Sequence, residues 1–98
     1  MNTLIVENNF FSSEAKQMLS KIGNVYEKKI SKKKFNEINI LFVRFKYLID
    51  KNFIDKYPNL KFIISATTGI DHINQSYCKK KKIKIYSLND IKNKIQNI

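Results

Sequence analysis

A chain of 98 residues with 43% hydrophobic content has enough apolar matter for one small core and not for two, so a single domain is the bound. The lone cysteine, Cys78, excludes an internal disulfide, no apolar run reaches the ~18 residues of a membrane span, and a signal peptide's basic start and long apolar stretch are missing, so a reducing cytoplasm is the expected compartment. The net charge of +11 raises nucleic acid as a partner, but Lys, Ile and Asn make up close to half of the chain and Arg44 is the one arginine; the charge reads as compositional bias, without the side chain preferred for bidentate recognition of phosphate and guanine.

In chain order, Thr3 to Val6 is a short apolar strand. Ser12 or Ser13 then caps a helix whose Ala15, Met18, Leu19 and Ile22 fall at i, i+3, i+4 and i+7, with Gly23 closing it. Val25 and Tyr26 begin a second strand, and Phe35 and Ile38 predict one helical turn on the core after the Lys32-Lys33-Lys34 run. Ile40 to Val43 is a continuous apolar strand suited to the middle of a parallel sheet. Asp50 caps a short helix carrying Phe53, Ile54 and Tyr57, and Pro58 ends it. Leu60 to Ser65 is the fourth strand, Asn74 caps a helix through about Lys81, and Ile83 to Tyr86 is the fifth strand. The runs Lys28-Lys29, Lys32-Lys33-Lys34 and Lys79 to Lys82 fall at element ends, and the last complements the negative end of a helix dipole.

Alternation of strand and helix argues for an α/β fold, a flavodoxin-like, doubly wound, parallel five-stranded sheet ordered 2-1-3-4-5, with ligands outside the carboxyl ends of the strands. The third and fourth strands are then neighbours. Arg44 follows one and Thr67-Thr68-Gly69 the other, so a guanidinium and free backbone amides face one small anion, for which a carboxylate fits.

The stretch L-K-F-I-I-S-A-T-T-G-I-D-H-I-N from Leu60 to Asn74, with Ile40-Leu41-Phe42-Val43-Arg44 and Tyr57-Pro58-Asn59-Leu60-Lys61 before it, strongly resembles the substrate-binding domain of the D-isomer-specific 2-hydroxyacid dehydrogenases, a family that includes phosphoglycerate and glycerate dehydrogenases. The likeness is best from about Ile40 to Asp90. It implies reduction of 2-oxo acids, or oxidation of D-2-hydroxy acids, with NAD or NADP held by a second domain inserted into the first. It further implies that Thr68 and Gly69 offer backbone N–H groups to the substrate carboxylate, with Arg44 beside it.

The family's catalytic Arg, Glu and His belong to a later portion, so no catalytic residue is assigned. The sequence contains no G-x-G-x-x-G, its only glycines being Gly23 and Gly69, and a pyrophosphate needs such close backbone approaches. Residues 1–88 are therefore expected to form the amino-terminal portion of the substrate-binding domain, and 89–98 the start of a truncated helix leading toward an absent cofactor domain. The expected chain is a fragment that binds no cofactor and is not competent for hydride transfer alone. Its expected partner is a small 2-oxo or 2-hydroxy acid, with no specific nucleic acid and no membrane. Ile91, Ile95 and Ile98 give the last helix an apolar face, through which self-association is expected.

Other residues invite plainer readings. Asp71 braces its turn by accepting backbone hydrogen bonds. His72, the only histidine, has no evident carboxylate to orient it as a base and matches no catalytic position of the family. Cys78 is half-buried packing on a helix, and no metal-ligand spacing occurs. Lys82 stands where the family usually has a helix-closing glycine, so that turn is either built differently or slightly strained. A phosphoacceptor receiver domain fails because the third strand ends in Arg44 and not Asp, and a flavodoxin fails because Glu7-Asn8-Asn9-Phe10 is no phosphate loop. The alternative function is a small non-enzymatic basic module on the same fold, binding an acidic partner or nucleic acid.

Overall fold

The computed structural model describes residues 1–6, 13–27, 30–44, 47–66 and 70–87, without the Ala15 side chain. Nine elements follow one another: β1 (Asn2–Ile5), α1 (Ser13–Ser20), β2 (Val25–Tyr26), a 3-10 helix (Lys32–Glu37), β3 (Ile38–Val43), α2 (Lys51–Ile54), β4 (Phe62–Ser65), α3 (Gln75–Lys80) and β5 (Lys84–Ser87). All strand pairs are parallel, in the order β2-β1-β3-β4-β5, as the alternating pattern predicts.

Continuous apolar strands arise because this sheet is buried on both faces. Leu4, Leu41, Val43 and Ile63 point to one face, where they meet Ile54, Tyr57, Ile73, Cys78 and Ile83. Ile5, Ile40, Phe42 and Ile64 point to the other, where Leu19 of α1 packs. At about 25 cal/mol per Å² of apolar surface, each such side chain contributes roughly 1.5–3 kcal/mol on burial.

Both expected helix caps form. The Asp50 carboxylate accepts from the Phe53 N–H at 3.0 Å, and the Asn74 side-chain oxygen accepts from the Tyr77 N–H at 3.1 Å. The Met18 and Leu19 side chains of the predicted stripe are buried. Gly23 lies just past α1, with φ +157°, where a Cβ would fall into the Met1 carbonyl.

Two local expectations are corrected. The helical turn expected at Phe35 and Ile38 is a 3-10 helix that includes the Lys32-Lys33-Lys34 run, and Ile38 is already the first residue of β3. A β-branched residue beside the apolar run extends the strand more readily than it closes a turn. Cys78 is fully buried instead of half-buried, and burial pushes its thiol pKa up, opposite to what a reactive thiolate needs.

The turn before β5 takes the second of its two expected forms, slightly strained, and keeps the left-handed geometry without its glycine. The Lys82 N–H donates to the Lys79 carbonyl at 3.1 Å and the Ile83 N–H to the Cys78 carbonyl at 2.8 Å, the Schellman pattern, with Lys82 at φ 60°. The cost to a residue with a Cβ is about 1 kcal/mol. Buried Cys78 and Ile83 in the same core cluster offset it. Ser12, Lys28-Lys29, the Thr67-Thr68-Gly69 turn and the helix expected over 89–98 with Ile91, Ile95 and Ile98 lie outside the described residues.

Candidate carboxylate site at the carboxyl edge of the sheet

The carboxyl ends of β3 and β4 are in register, Val43 opposite Ser65, and the Ala66 N–H donates to the Val43 carbonyl at 2.9 Å. The chain segments that leave these strands therefore start side by side. They also end side by side. Ile49 and Ile73 form an isolated parallel bridge, in which the Ile49 N–H donates to the His72 carbonyl at 2.8 Å and the Asn74 N–H to the Ile49 carbonyl at 2.9 Å. Two loops, one carrying Arg44 and the other Thr68 and Gly69, are thus joined at both ends by backbone hydrogen bonds, and both then feed directly into capped helices.

Both bridging side chains are buried, so the bridge is an extension of the core. Asp50 and Asn74, the residues next to it, are the two caps, which places a helix start one residue beyond each end of the paired loops. This stitching has no periodic sequence signature. The only hint is that an Ile stands immediately before each capping residue, the position from which an apolar side chain fixes the entry of a chain into a helix.

Arg44 is half-buried at the first position after β3, as expected from the sequence. A guanidinium carries five N–H donors in a planar fork, enough to hold a protein partner and still meet an anion. Thr68 and Gly69 lie outside the described residues, but their loop is anchored by Ala66 before it and by His72 and Ile73 after it. Asp71 is exposed at the far side of that loop, and the expected backbone partners at 67–69 lie outside the described residues. His72 is half-buried; its carbonyl serves the bridge, and its Nε2 is buried with no protein partner among the described residues.

A cavity of about 870 Å³ opens near the same edge, between the ends of β1 and β2, the 3-10 helix and the end of α2. Its floor is hydrocarbon and aromatic, with Val6, Ile30, Phe35, Tyr47 and Tyr57, and its charges are Lys32, Lys56 and Glu27. Arg44 does not line it. A small carboxylate is recognised by convergent donors and gains little from such an apolar floor. Among the described residues no three His, Cys, Asp or Glu side chains are grouped to hold a metal ion, and no helix is long and apolar enough to cross a membrane.

Residues 4–93 match the family model for the D-isomer specific 2-hydroxyacid dehydrogenase catalytic domain. The chain is 30% identical over 76 residues to an erythronate-4-phosphate dehydrogenase of Hydrogenovibrio crunogenus, covering 74% of this chain and 20% of that protein. It is 31% identical over 83 residues to the erythronate-4-phosphate dehydrogenase of Wigglesworthia glossinidia brevipalpis, covering 85% and 22%. In fold it is similar to the Aquifex aeolicus D-lactate dehydrogenase complexed with NAD and lactic acid, with a TM-score of 0.71 at 21% identity over 90% of this chain and 28% of that one. The chain spans about a fifth of the length of the curated relatives it matches. A match over residues 4–93, nearly the whole chain, means that this chain belongs to the D-isomer specific 2-hydroxyacid dehydrogenase family.

Proposed function

We propose that this chain supplies the substrate-carboxylate site of an NAD(P)-dependent D-2-hydroxyacid dehydrogenase, with the cofactor and the acid–base groups provided by sequence outside these residues. Arg44 meets the carboxylate of a small 2-oxo or 2-hydroxy acid through charge-assisted hydrogen bonds, and the Thr68 and Gly69 amides donate to it from the neighbouring loop. The observation that carries this reading is the joining of the two loops, by the Ala66 to Val43 hydrogen bond at their start and the Ile49–Ile73 bridge at their end.

Chemically, such a site orients and does not react. Fixing the carboxylate sets the position of the adjacent C2, which a nicotinamide bound elsewhere in the whole enzyme would reduce or oxidise by hydride transfer. Holding a reactant in place is a large part of catalysis even when the holding groups exchange no proton. Residues 1–98 contain no G-x-G-x-x-G, so cofactor binding and hydride transfer belong, on this reading, to the whole protein. Both curated relatives are named for erythronate 4-phosphate, which makes that acid the first to try.

Calorimetric titration tests the proposal. Hydroxypyruvate, oxalate and erythronate 4-phosphate should bind this chain at about millimolar Kd, roughly 4 kcal/mol, because groups that close on the rest of the substrate are not among these residues. Arg44→Ala should weaken binding at least about fivefold, the loss of one charge-assisted pair. Equal affinity of the variant and the parent chain would refute the role given to Arg44.

A further inference from the structure

We propose a second binding site on the opposite edge of the sheet, a groove for single-stranded nucleic acid read through its phosphates and without base-sequence preference. At the amino-terminal ends of β4 and β5 lies a groove of about 410 Å³ lined by Lys61, Lys81, Lys82 and Lys84 beside Asn59 and Phe62, with the Lys81 ammonium lying over the Tyr77 ring at its side. Among the described residues no carboxylate lines the groove.

Helix-dipole compensation accounts for only part of this charge. Lys79 and Lys80 occupy the last turn of α3, where ammonium groups meet the free carbonyls. Lys61 and Lys84 do not belong to a helix end. They stand at the starts of adjacent strands, held there by the Lys61 N–H to Asn39 carbonyl bond at 2.8 Å and the Lys84 N–H to Lys61 carbonyl bond at 3.0 Å. Lys82 adds a fourth ammonium group from the left-handed position in which glycine would be free of strain.

Lysines without arginine neutralise phosphates as point charges and do not read base edges. Phe62, half-buried and 5.9 Å between ring centroids from Tyr86, gives the groove an aromatic wall. The part of this ring not packed against the apolar cluster of Ile40, Phe42 and Ile64 stands beside lysines, an arrangement that suits a base next to its own phosphate. Lysines from two strand starts and a helix-closing turn line one open groove, which favours an extended strand over a mononucleotide. The two edges are separated by the four residues of β4, about 13 Å, so occupation of the groove leaves the carboxylate site open.

The test is fluorescence anisotropy of a labelled oligothymidylate of about twelve nucleotides with the full chain. The affinity should fall with salt along a log–log slope near about −3, as four neutralised phosphates of a single strand require. Replacing Lys61, Lys82 and Lys84 together by Gln should weaken binding at least about tenfold, while the charge-matched replacement of Lys32, Lys33 and Lys34 should change it less than about twofold. Lys82→Gly removes one ammonium group while relieving the backbone, so it should weaken binding about two- to threefold in a protein that melts no earlier than the parent. Equal losses from the two triple variants, equal competition by polyglutamate, equal affinity for a duplex of the same length, or no binding at about 50 mM salt would each overturn the proposal.

Discussion

The two edges of the sheet are held by different chemistry. At the carboxyl edge the links between the segments after β3 and β4 are backbone to backbone, Ala66 to Val43 and Ile49 to both His72 and Asn74. At the amino edge asparagine side chains add to the backbone links that join Lys61 to Asn39 and Lys84 to Lys61. Asn39 accepts from the Asn2 N–H at 3.0 Å and donates to the Asn59 carbonyl at 3.2 Å, Asn2 donates to the Glu37 carbonyl at 3.1 Å and accepts from the Asn24 N–H at 3.2 Å, and Asn59 donates to the Asn36 carbonyl at 2.6 Å. Backbone links of the kind seen at the carboxyl edge set almost no condition on residue identity. Side-chain links make the amino edge depend on residue identity.

If this contrast is right, the largest effect comes from the buried support of the carboxyl edge. Ile49→Ala should cost about 2–5 kcal/mol, a large share of the stability of a small domain, because Ile49 is fully buried between both loops. Urea unfolding reads this directly. A cost under about 1 kcal/mol would mean that the bridge is peripheral to the core.

At the amino edge, Asn39→Ala removes one acceptor and one donor and should cost about 1–2 kcal/mol. Asn39→Asp keeps the acceptor for Asn2 and loses the donor to Asn59, so it should cost less than the alanine variant. If both substitutions are neutral in the same unfolding experiment, the asparagine network contributes nothing and the contrast fails there.

A smaller and opposite effect is expected at Lys82. Lys82→Gly should stabilise the fold by about 0.5–1 kcal/mol, because only the residue with a Cβ resists φ 60°. Lys82→Ala should not stabilise it. Thermal melts of the two variants separate the backbone effect from loss of the charge.

The smallest effect is an alkaline one. The Tyr77 hydroxyl donates to the Asp55 carboxylate, joining α3 to the end of α2, and this bond, with desolvation and the carboxylate charge, holds the Tyr77 pKa up at about 12 against an ordinary 10.0. The folded state keeps the proton more tightly than the unfolded chain. Its contribution is therefore complete below the unfolded value of 10.0 and declines as pH rises through about 12. Tyr77→Phe should flatten that part of the alkaline loss of stability, measured by denaturant midpoints across this window.

Much of the fold was legible because its determinants are local. Ile40 to Val43 and Leu60 to Ser65 announce central strands by being apolar at consecutive positions, and Asp50 and Asn74 announce helix starts by their chemistry. What escaped the sequence is what depends on tertiary contact. The Ile49–Ile73 bridge is a single pairing without a period, and the burial of Cys78 follows from its place beneath a closing turn that Lys82 completes despite its Cβ. For the site, the position of Arg44 after β3 followed from strand order, since order 2-1-3-4-5 makes the third and fourth strands neighbours. The partnership of the two loops at their far ends did not, because backbone hydrogen bonds can be made by any residue pair.

The most direct measurement of the central claim is the response of backbone amide signals to a small carboxylate. Titrating hydroxypyruvate into isotopically labelled protein should shift the Thr68 and Gly69 amides saturably, and Arg44→Ala should weaken that response while leaving the Lys61 and Lys84 signals unchanged. If the Thr68 and Gly69 signals stay in place while those of Lys81, Lys82 and Lys84 move, the carboxylate binds at the basic amino edge and the assignment of the carboxyl edge as the substrate site is wrong.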